Sequence, residues 1–310
     1  EIQLVDKLEL FILRIYKSYC KNIYVSGSNA QMLSRELSSA LRGWPLEYEE
    51  FPLSFNEFCR FKNIKTNGFT EIDRIRLKNA FMEFNHSSAF PEVVLIPEKS
   101  MKDRKLQGYF NTMLFRDLIE HYQLNNPEVV RYFLKRVMAN LSKPTSINSI
   151  FNELKSQGLK VGKDKLYELA EHCCSIFLFF RVPKYDRSMI KENSSLPKYY
   201  CIDNGIRNAV LLPQSDDDGK LLENTVFLAL RRVLKPCDKI LYFQGTKECD
   251  FVVQQNDQIV HLIQVTWDMR DKETRKREID GIVEASRVTG CDSLIILTNN
   301  EEGEITEEGK

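Results

Sequence analysis

A short apolar run followed by small polar residues is the first pattern in the chain that could carry chemistry. Ile23, Tyr24 and Val25 predict a buried β-strand, and Ser28 and Asn29 follow shortly after it. Folds of the α/β class hold nucleotides at the carboxyl ends of such strands. The pattern therefore indicates a strand end that faces a phosphate, although either polar residue would serve equally well as a plain helix cap.

The helix predicted after this strand end carries two arginines. Its apolar side is a leucine at every fourth position, and Gly43 ends it; the leucines are Leu33, Leu37 and Leu41. Arg35 and Arg42 are seven residues apart, which places them on one face, roughly opposite the leucines. Taken alone, such a pair of arginines is most simply a solvated charged face.

The segment 23–58 resembles a family of bacterial and archaeal AAA-type ATPases that have a C-terminal domain of unknown function. The resemblance rests on four short motifs, Ser26-Gly27-Ser28-Asn29, Leu33-Ser34-Arg35-Glu36, Leu41-Arg42-Gly43 and Phe51-Pro52-Leu53-Ser54-Phe55. The combination is specific, whereas each motif is weak by itself. One departure is Trp44, at a position where the family usually has an arginine.

This resemblance implies catalytic roles for several residues. Ser28 or Asn29 would be the sensor that orients the attacking water or contacts the γ-phosphate. Arg42, or in second place Arg35, would be an arginine finger that reaches the nucleotide of a neighbouring subunit. Glu1, in Glu1-Ile2-Gln3, matches the glutamate of the family's Walker B segment, which polarises the attacking water.

Other parts of a nucleotide site are missing from the sequence. No G-x-x-x-x-G-K-[ST] motif occurs in the 310 residues, so there is no glycine-rich loop and lysine to hold the β- and γ-phosphates. We therefore expect ATP and Mg²⁺ to bind only together with a preceding part of the AAA core. The chain alone is not expected to hydrolyse ATP.

Charge and cysteine content narrow the class of protein. The chain has 44 lysines and arginines and 44 aspartates and glutamates, so nucleic-acid binding would need a local basic patch. Its eight cysteines include no C-x-x-C spacing, which favours reduced thiols in a cytoplasmic protein. No apolar run reaches the roughly 18 residues of a membrane-spanning helix, so we expect no membrane partner.

The middle of the chain predicts a helical lid and then a winged helix. Periodic, charged helices are predicted up to residue 126. Beyond it the predicted elements are three helices and two strands, at 128–141, 146–157, 163–174, 175–182 and 199–202. Three helices followed by a β-ribbon are the pattern of a winged helix.

Basic residues of this unit indicate where DNA could bind. The third helix mixes Lys163 and Lys165 with acidic residues, which makes it a poor surface for phosphates. The loop between the two strands is more basic and carries Lys184, Arg187, Lys191 and Lys198. Three alternatives stay open for the unit: DNA contact through this loop, docking of a partner protein, or a purely structural role.

The last segment has the element order of a restriction-endonuclease-like core. Its predicted elements are a helix, three strands, a long helix and a strand, at 221–233, 240–243, 248–254, 259–267, 272–288 and 293–298. This α-β-β-β-α-β order resembles that of metal-dependent nucleases, and the C-terminal domain of the ATPase family resembles it too.

A nuclease site of that class needs a helix glutamate, a strand aspartate and a Glu/Gln-x-Lys motif on the next strand, which hold Mg²⁺ and activate water. The resemblance assigns these positions to Glu223, Asp250, Gln264 and Thr266, with Glu223 and Asp250 as possible Mg²⁺ ligands. Gln264 and Thr266 share one face of a strand. Because Thr266 stands where the lysine is expected, transition-state charge would be poorly stabilised. We expect a degenerate nuclease-like domain.

These interpretations combine into an α/β chain of four predicted units. They are the C-terminal half of an AAA core at 1–63, a helical lid at 64–126, a winged helix at 127–205 and a restriction-endonuclease-like domain at 215–310. The main hypothesis is the C-terminal part of an ATP-binding AAA-type ATPase that couples nucleotide state to the last two units. The alternatives are an ATPase-gated, Mg²⁺-dependent DNA endonuclease, and a non-enzymatic module that binds nucleic acid, a partner protein or a second copy of itself.

Overall fold

The computed structural model of the protein describes residues 7–27, 46–68, 70–211 and 217–306. The sensor, finger and Walker B residues predicted from the sequence lie outside these ranges; they are Glu1, Ser28, Asn29, Arg35 and Arg42. The buried strand predicted at residues 23–25 was wrong, because these residues do not form a strand and Tyr24 is 95 % exposed. Helices dominate the first half of the described chain. They are α1 (Leu8–Ser18), α2 (Phe55–Phe61), α3 (Glu71–His86), α4 (Pro91–Val94), α5 (Lys99–Thr112), α6 (Pro127–Ala139), α7 (Ile147–Ser156) and α8 (Lys163–Ser175). A π-helical segment, Met113–Glu120, continues α5.

The Phe-Pro-Leu-Ser-Phe motif has a clear structural purpose at the start of α2. Ser54 and Glu57 form a reciprocal capping box, in which the Glu57 carboxylate accepts from the Ser54 amide at 2.7 Å. The cap starts the helix so that Phe58 is buried, and the ring of Phe58 packs edge-on against Phe84 of α3. The motif therefore joins the segment after the predicted finger helix to the helices that follow.

A β-ribbon and a four-stranded sheet make up the rest of the fold. Strand β1 (Phe179–Val182) pairs antiparallel with β2 (Lys198–Cys201), and α9 (Met189–Ser194) lies between them, where the sequence predicted only a polar loop. Two helices follow, α10 (Asn204–Val210) and α11 (Asp217–Val233). The remaining elements are β3 (Lys239–Gln244), β4 (Glu248–Gln255), β5 (Gln258–Val265), α12 (Lys272–Thr289) and β6 (Leu294–Leu297).

The sheet has the order β3-β4-β5-β6. Its first three strands are antiparallel neighbours, whereas β6 is parallel to β5 because α12 crosses over between them. The segment after β1 runs along β3: the Tyr185 amide donates to the Tyr242 carbonyl at 2.7 Å, and the Tyr242 amide donates to the Pro183 carbonyl at 3.1 Å. The ribbon is therefore hydrogen-bonded to the sheet.

Strand β2 contributes side chains to two different hydrophobic cores. Tyr199 and Cys201 point into a core built mainly by α5, the π-helical segment and α6 to α8. Tyr200, on the opposite face, stacks on Phe227 of α11 with ring centroids 4.4 Å apart and contacts Phe251 of β4 in the core of the sheet. This alternation follows from the period of two along a strand.

The observed mixture of helices and sheets confirms the α/β class in its broad sense. The first of the two cores includes Leu106, Phe110 and Leu118 together with Phe133 and Leu169, so it draws on both the predicted lid and the predicted winged helix. The four unit boundaries stay a prediction.

Within the described ranges, no helix combines the length and the apolarity that a membrane crossing requires.

Candidate functional site

A buried cluster of charged side chains lies where β2, α11 and β4 meet. The ammonium Nζ of Lys198 is 3.1 Å from Glu223 Oε1 and 3.1 Å from Asp250 Oδ1, and it forms a further ion pair with Glu248. The Lys198 side chain is only 1 % exposed. One cation thus neutralises part of the charge of three carboxylates, of which Glu223 and Asp250 are buried and Glu248 is a third exposed.

Local periodicity explains why these side chains converge. Lys198 and Tyr200 are two residues apart on β2 and share a face, as do Glu248 and Asp250 on β4. Glu223 lies one turn before Phe227 on the inner face of α11. The Tyr200 hydroxyl donates to Glu223 Oε1 at 2.6 Å, which aligns the carboxylate toward the ribbon.

The electrostatics of the cluster follow from burial and from the proximity of like charges. Burial, and next the charge of Asp250, raise the pKa of Glu223, although Lys198 and the Tyr200 hydroxyl oppose this. Burial alone would lower the pKa of Lys198, but the acidic neighbours, Glu223 first, hold it well above its ordinary value. Lys198 is therefore a permanent cation, and Glu223 holds its proton to a higher pH than an ordinary glutamate does.

Three of the four residues assigned from the nuclease resemblance lie in one hydrogen-bonded network. Asp250 Oδ2 accepts from the Val265 amide at 2.9 Å, and the Asp250 amide donates to Gln264 Oε1 at 3.2 Å. Gln264 also donates to Glu278 of α12. The Thr266 hydroxyl instead donates to the carbonyl of Asp268, at 3.4 Å. The network therefore connects Glu223, through Lys198, to Asp250 and Gln264.

The residue that sequence reasoning missed is Lys198. It was grouped with the basic residues of the exposed loop, but its side chain is buried among acids and lies 5.3 Å from the centroid of the Tyr242 ring. A usable signal was present in the sequence: Lys198 is two residues before Tyr200, so a strand that buries Tyr200 also turns Lys198 inward. A buried lysine requires an acidic partner.

The basic loop that was predicted to contact DNA is tied to β3 and α12 at two positions, while Arg187 and Lys191 stay exposed. Lys184 lies in the bridge to Tyr242 of β3, and its side chain is half-buried. Arg187 Nη2 donates to the carbonyl of Val288 near the C-terminal end of α12, at 2.7 Å. Lys191 is exposed on α9.

The residues of the cluster do not fit a divalent ion. Magnesium binds carboxylate oxygens at about 2.1 Å, so an ion shared by Glu223 and Asp250 would overlap the volume that the Lys198 ammonium fills. Among the residues that the structure describes, no group of three or more His, Cys, Asp and Glu side chains is arranged to hold a metal.

Comparison with known proteins gives two partial family matches. Residues 1–59 match an AAA domain, and residues 81–217 match a domain of unknown function, DUF8612. The first match agrees with the AAA-type assignment predicted from the sequence motifs. No solved structure matches the chain.

Two curated relatives are similar over most of the chain. An uncharacterized protein of Methanocaldococcus jannaschii, MJ1544, is 32% identical over 309 residues, which are 98% of this chain and 68% of that protein. An uncharacterized protein of Haemophilus influenzae is 26% identical over 272 residues, 87% of this chain and 65% of that protein. The chain thus spans about two thirds of the length of these relatives. It belongs to the same family as MJ1544, and its first 59 residues are similar to an AAA domain.

Proposed function

We propose that the chain is the C-terminal part of an AAA-type ATPase that binds ATP with Mg²⁺ and passes its nucleotide state to the C-terminal units. The observation that carries the proposal is the AAA-domain match of residues 1–59, in which the motifs around Ser28 and Arg42 lie. Proteins with AAA domains generally use ATP and Mg²⁺. In this proposal Ser28 or Asn29 senses the γ-phosphate, Glu1 polarises water, and Arg42 or Arg35 acts as the finger.

Contacts of α11 with the AAA-type segment support a route for this coupling. Arg231 forms an ion pair with Glu49, and the Arg232 guanidinium lies 5.2 Å from the centroid of the Phe51 ring. Arg232 also approaches Glu57 at 3.9 Å. The same helix carries Glu223 at the buried cluster, so one rigid element runs from the end of the AAA-type segment to the sheet.

The C-terminal units are proposed as a winged helix and a degenerate nuclease-like domain. The succession of α6 to α8, β1 and β2 supports the first assignment. The order α11, β3 to β5, α12, β6, with Glu223, Asp250 and Gln264 in one network, supports the second. Because Arg187 and Lys184 contact the sheet unit, we propose that the loop docks the winged helix onto that unit.

ATP turnover in the protein with its complete AAA domain tests the proposal. Glu1→Gln should bind ATP but not hydrolyse it, and Arg42→Ala should lower kcat by about 10³-fold. Mixing the two variants should restore turnover, because each Glu1→Gln subunit offers an intact Arg42 to an Arg42→Ala neighbour. Arg35→Ala, tested in the same way, decides between the two arginines. Failure of the complete protein to bind ATP would refute the assignment.

The coupling route has its own test. Arg232→Ala should leave ATP affinity unchanged while it abolishes the ATP-dependent change in hydrogen exchange along α11. The exposed Lys165 of α8 provides the matched control, since Lys165→Ala removes a cation that pairs with Glu168 one turn away on the same helix.

A further inference from the structure

We infer that Lys198 is a built-in cation that takes the place of the divalent ion in the nuclease-like unit. The cluster around Lys198 is then a structural centre that needs no metal. This inference rests on the proposed assignment of that unit as nuclease-like. The position of the ammonium carries it: the nitrogen lies 3.1 Å from both carboxylates that a metal would need, Glu223 and Asp250.

The donor count of the ammonium matches its surroundings. A lysine ammonium has three N–H donors, and three carboxylates surround it: Glu223, Asp250 and Glu248. Carboxylate oxygens bind a compact positive charge whether it is a metal ion or an ammonium group. A second cation at this place would have to expel the first, because both would bind the same oxygen atoms.

Lys198 also lacks the position of a catalytic lysine. A lysine that stabilises a phosphodiester transition state must face the space that the substrate enters. The side chain of Lys198 is 1 % exposed, with the Tyr242 ring on one side and the Tyr200–Glu223 hydrogen bond on another. The nitrogen thus faces carboxylates and the Tyr242 ring rather than an open substrate space.

The origin of the cation gives it a structural role that a metal ion would not have. Lys198 belongs to β2, whose neighbours Tyr199 and Cys201 are buried in the core of the helices. Its ion pairs with Asp250 and Glu248 hold the ribbon against β4. A loosely bound ion would make this junction depend on metal concentration, whereas a tethered ammonium makes it permanent.

Removal of the lysine should uncover the latent metal site. Titration with Tb³⁺, in the absence of nucleotide, reports binding through luminescence sensitised by Tyr200 and Tyr242. Wild-type protein should show no binding that depends on Asp250. Lys198→Ala should gain one saturable Tb³⁺ site. The double variant Lys198→Ala with Asp250→Asn should bind Tb³⁺ at least tenfold more weakly than Lys198→Ala. Lys191→Ala, at an exposed lysine of α9, should behave as the wild type.

Wild-type binding of Tb³⁺ or Mn²⁺ that Asp250→Asn removes would overturn the inference, and this measurement needs no lysine variant. Plasmid cleavage by the wild type with Mg²⁺ or Mn²⁺, lost in Glu223→Ala, would overturn it as well. A folded Lys198→Ala protein without a new metal site would also contradict the inference. If Lys198→Ala does not fold, Lys198→Met, which keeps an apolar side chain of similar length, is used in its place. ATP binding by the complete protein is measured separately, so a failed metal result leaves the ATPase proposal intact.

Discussion

The ammonium of Lys198 lies 3.1 Å from Oδ1 of Asp250, although the two residues are 52 positions apart in the chain. Asp250 Oδ2 accepts at the same time from the Val265 amide, at 2.9 Å. The one aspartate therefore ties β2 of the ribbon to β4 and β5 of the sheet. This arrangement makes the stability of the whole C-terminal half sensitive to a few buried polar groups.

Replacement of Lys198 by methionine should strongly destabilise the protein. The methionine fills a similar volume but leaves Glu223, Asp250 and Glu248 without their cation, and an unpaired buried charge costs about 3–5 kcal/mol. Urea denaturation at neutral pH measures the free energy of unfolding. The exposed Lys191→Met should change it by less than about 0.5 kcal/mol. Equal stability of the two variants would show that the cluster is not a determinant of the fold.

The contribution of Glu223 to stability should fall as the pH rises above 4.5, the ordinary pKa of a glutamate, because the folded protein raises the pKa of Glu223. A carboxyl with a raised pKa binds its proton more tightly in the folded state, so the contribution is present below 4.5 and is lost through the raised pKa. One such group changes the slope by at most about 1.4 kcal/mol per pH unit. Lys198 stays charged across this range.

Glu223→Gln should flatten this pH dependence, because the amide mimics the protonated carboxyl and still accepts from Tyr200. Free energies of unfolding measured by urea at a series of pH values provide the test. The control is Glu168→Gln at an exposed position of α8, which should leave the slope as in the wild type. Identical slopes for Glu223→Gln and the wild type would contradict the shift.

Asn224 of α11 acts as a substitute strand partner for the end of β2. Its Oδ1 accepts from the Cys201 amide at 2.8 Å, and its Nδ2 donates to the Cys201 carbonyl at 2.9 Å. Asn224→Ala leaves both backbone groups buried and unpaired, at a cost of about 2–4 kcal/mol. Hydrogen exchange of the Cys201 amide should accelerate accordingly. Asn193→Ala, at an exposed residue of α9, should change neither quantity.

Two helical glycines should respond in opposite directions to alanine. A Cβ on Gly281 of α12 would lie 2.2 Å from the backbone oxygen of Glu248, so the helix would have to move away from β4. We expect Gly281→Ala to cost about 1–3 kcal/mol. A Cβ on Gly108 of α5 would meet no atom within 4 Å, and alanine should stabilise that helix by about 0.5–1 kcal/mol. Thermal unfolding of both variants decides; a shift of the same sign in both would refute the close approach of α12.

Regular elements with a strong apolar period were predictable from the sequence. Helices predicted at 128–141, 146–157 and 163–174 are observed as Pro127–Ala139, Ile147–Ser156 and Lys163–Ser175. Each has apolar residues spaced for one buried face and a glycine or polar residue at its end, so local information was sufficient. The strand that begins at Glu248 was found from its short β-prone run Phe251–Val253, which is buried.

The environment of single charged side chains was not predictable in the same way. Lys198 follows Pro197 at the end of a polar segment, which is also how an exposed loop lysine appears. Its burial is decided by Glu223 and Asp250, which come 25 and 52 positions later. Likewise, α9 was missed because it has only six residues, too few to display a helical period.

The two-faced strand β2 also limits how the protein can be divided. A truncated protein that stops before α11 would bring Tyr200 into water and leave Lys198 without Glu223 and Asp250, while Tyr199 on the other face would keep its partners. Conversely, the sheet without the ribbon would leave the carboxylates of Glu223, Glu248 and Asp250 without the Lys198 ammonium. We expect neither portion to fold alone, so the elements from α5 to β6 should melt in a single cooperative transition and should be exchanged between proteins only as one piece.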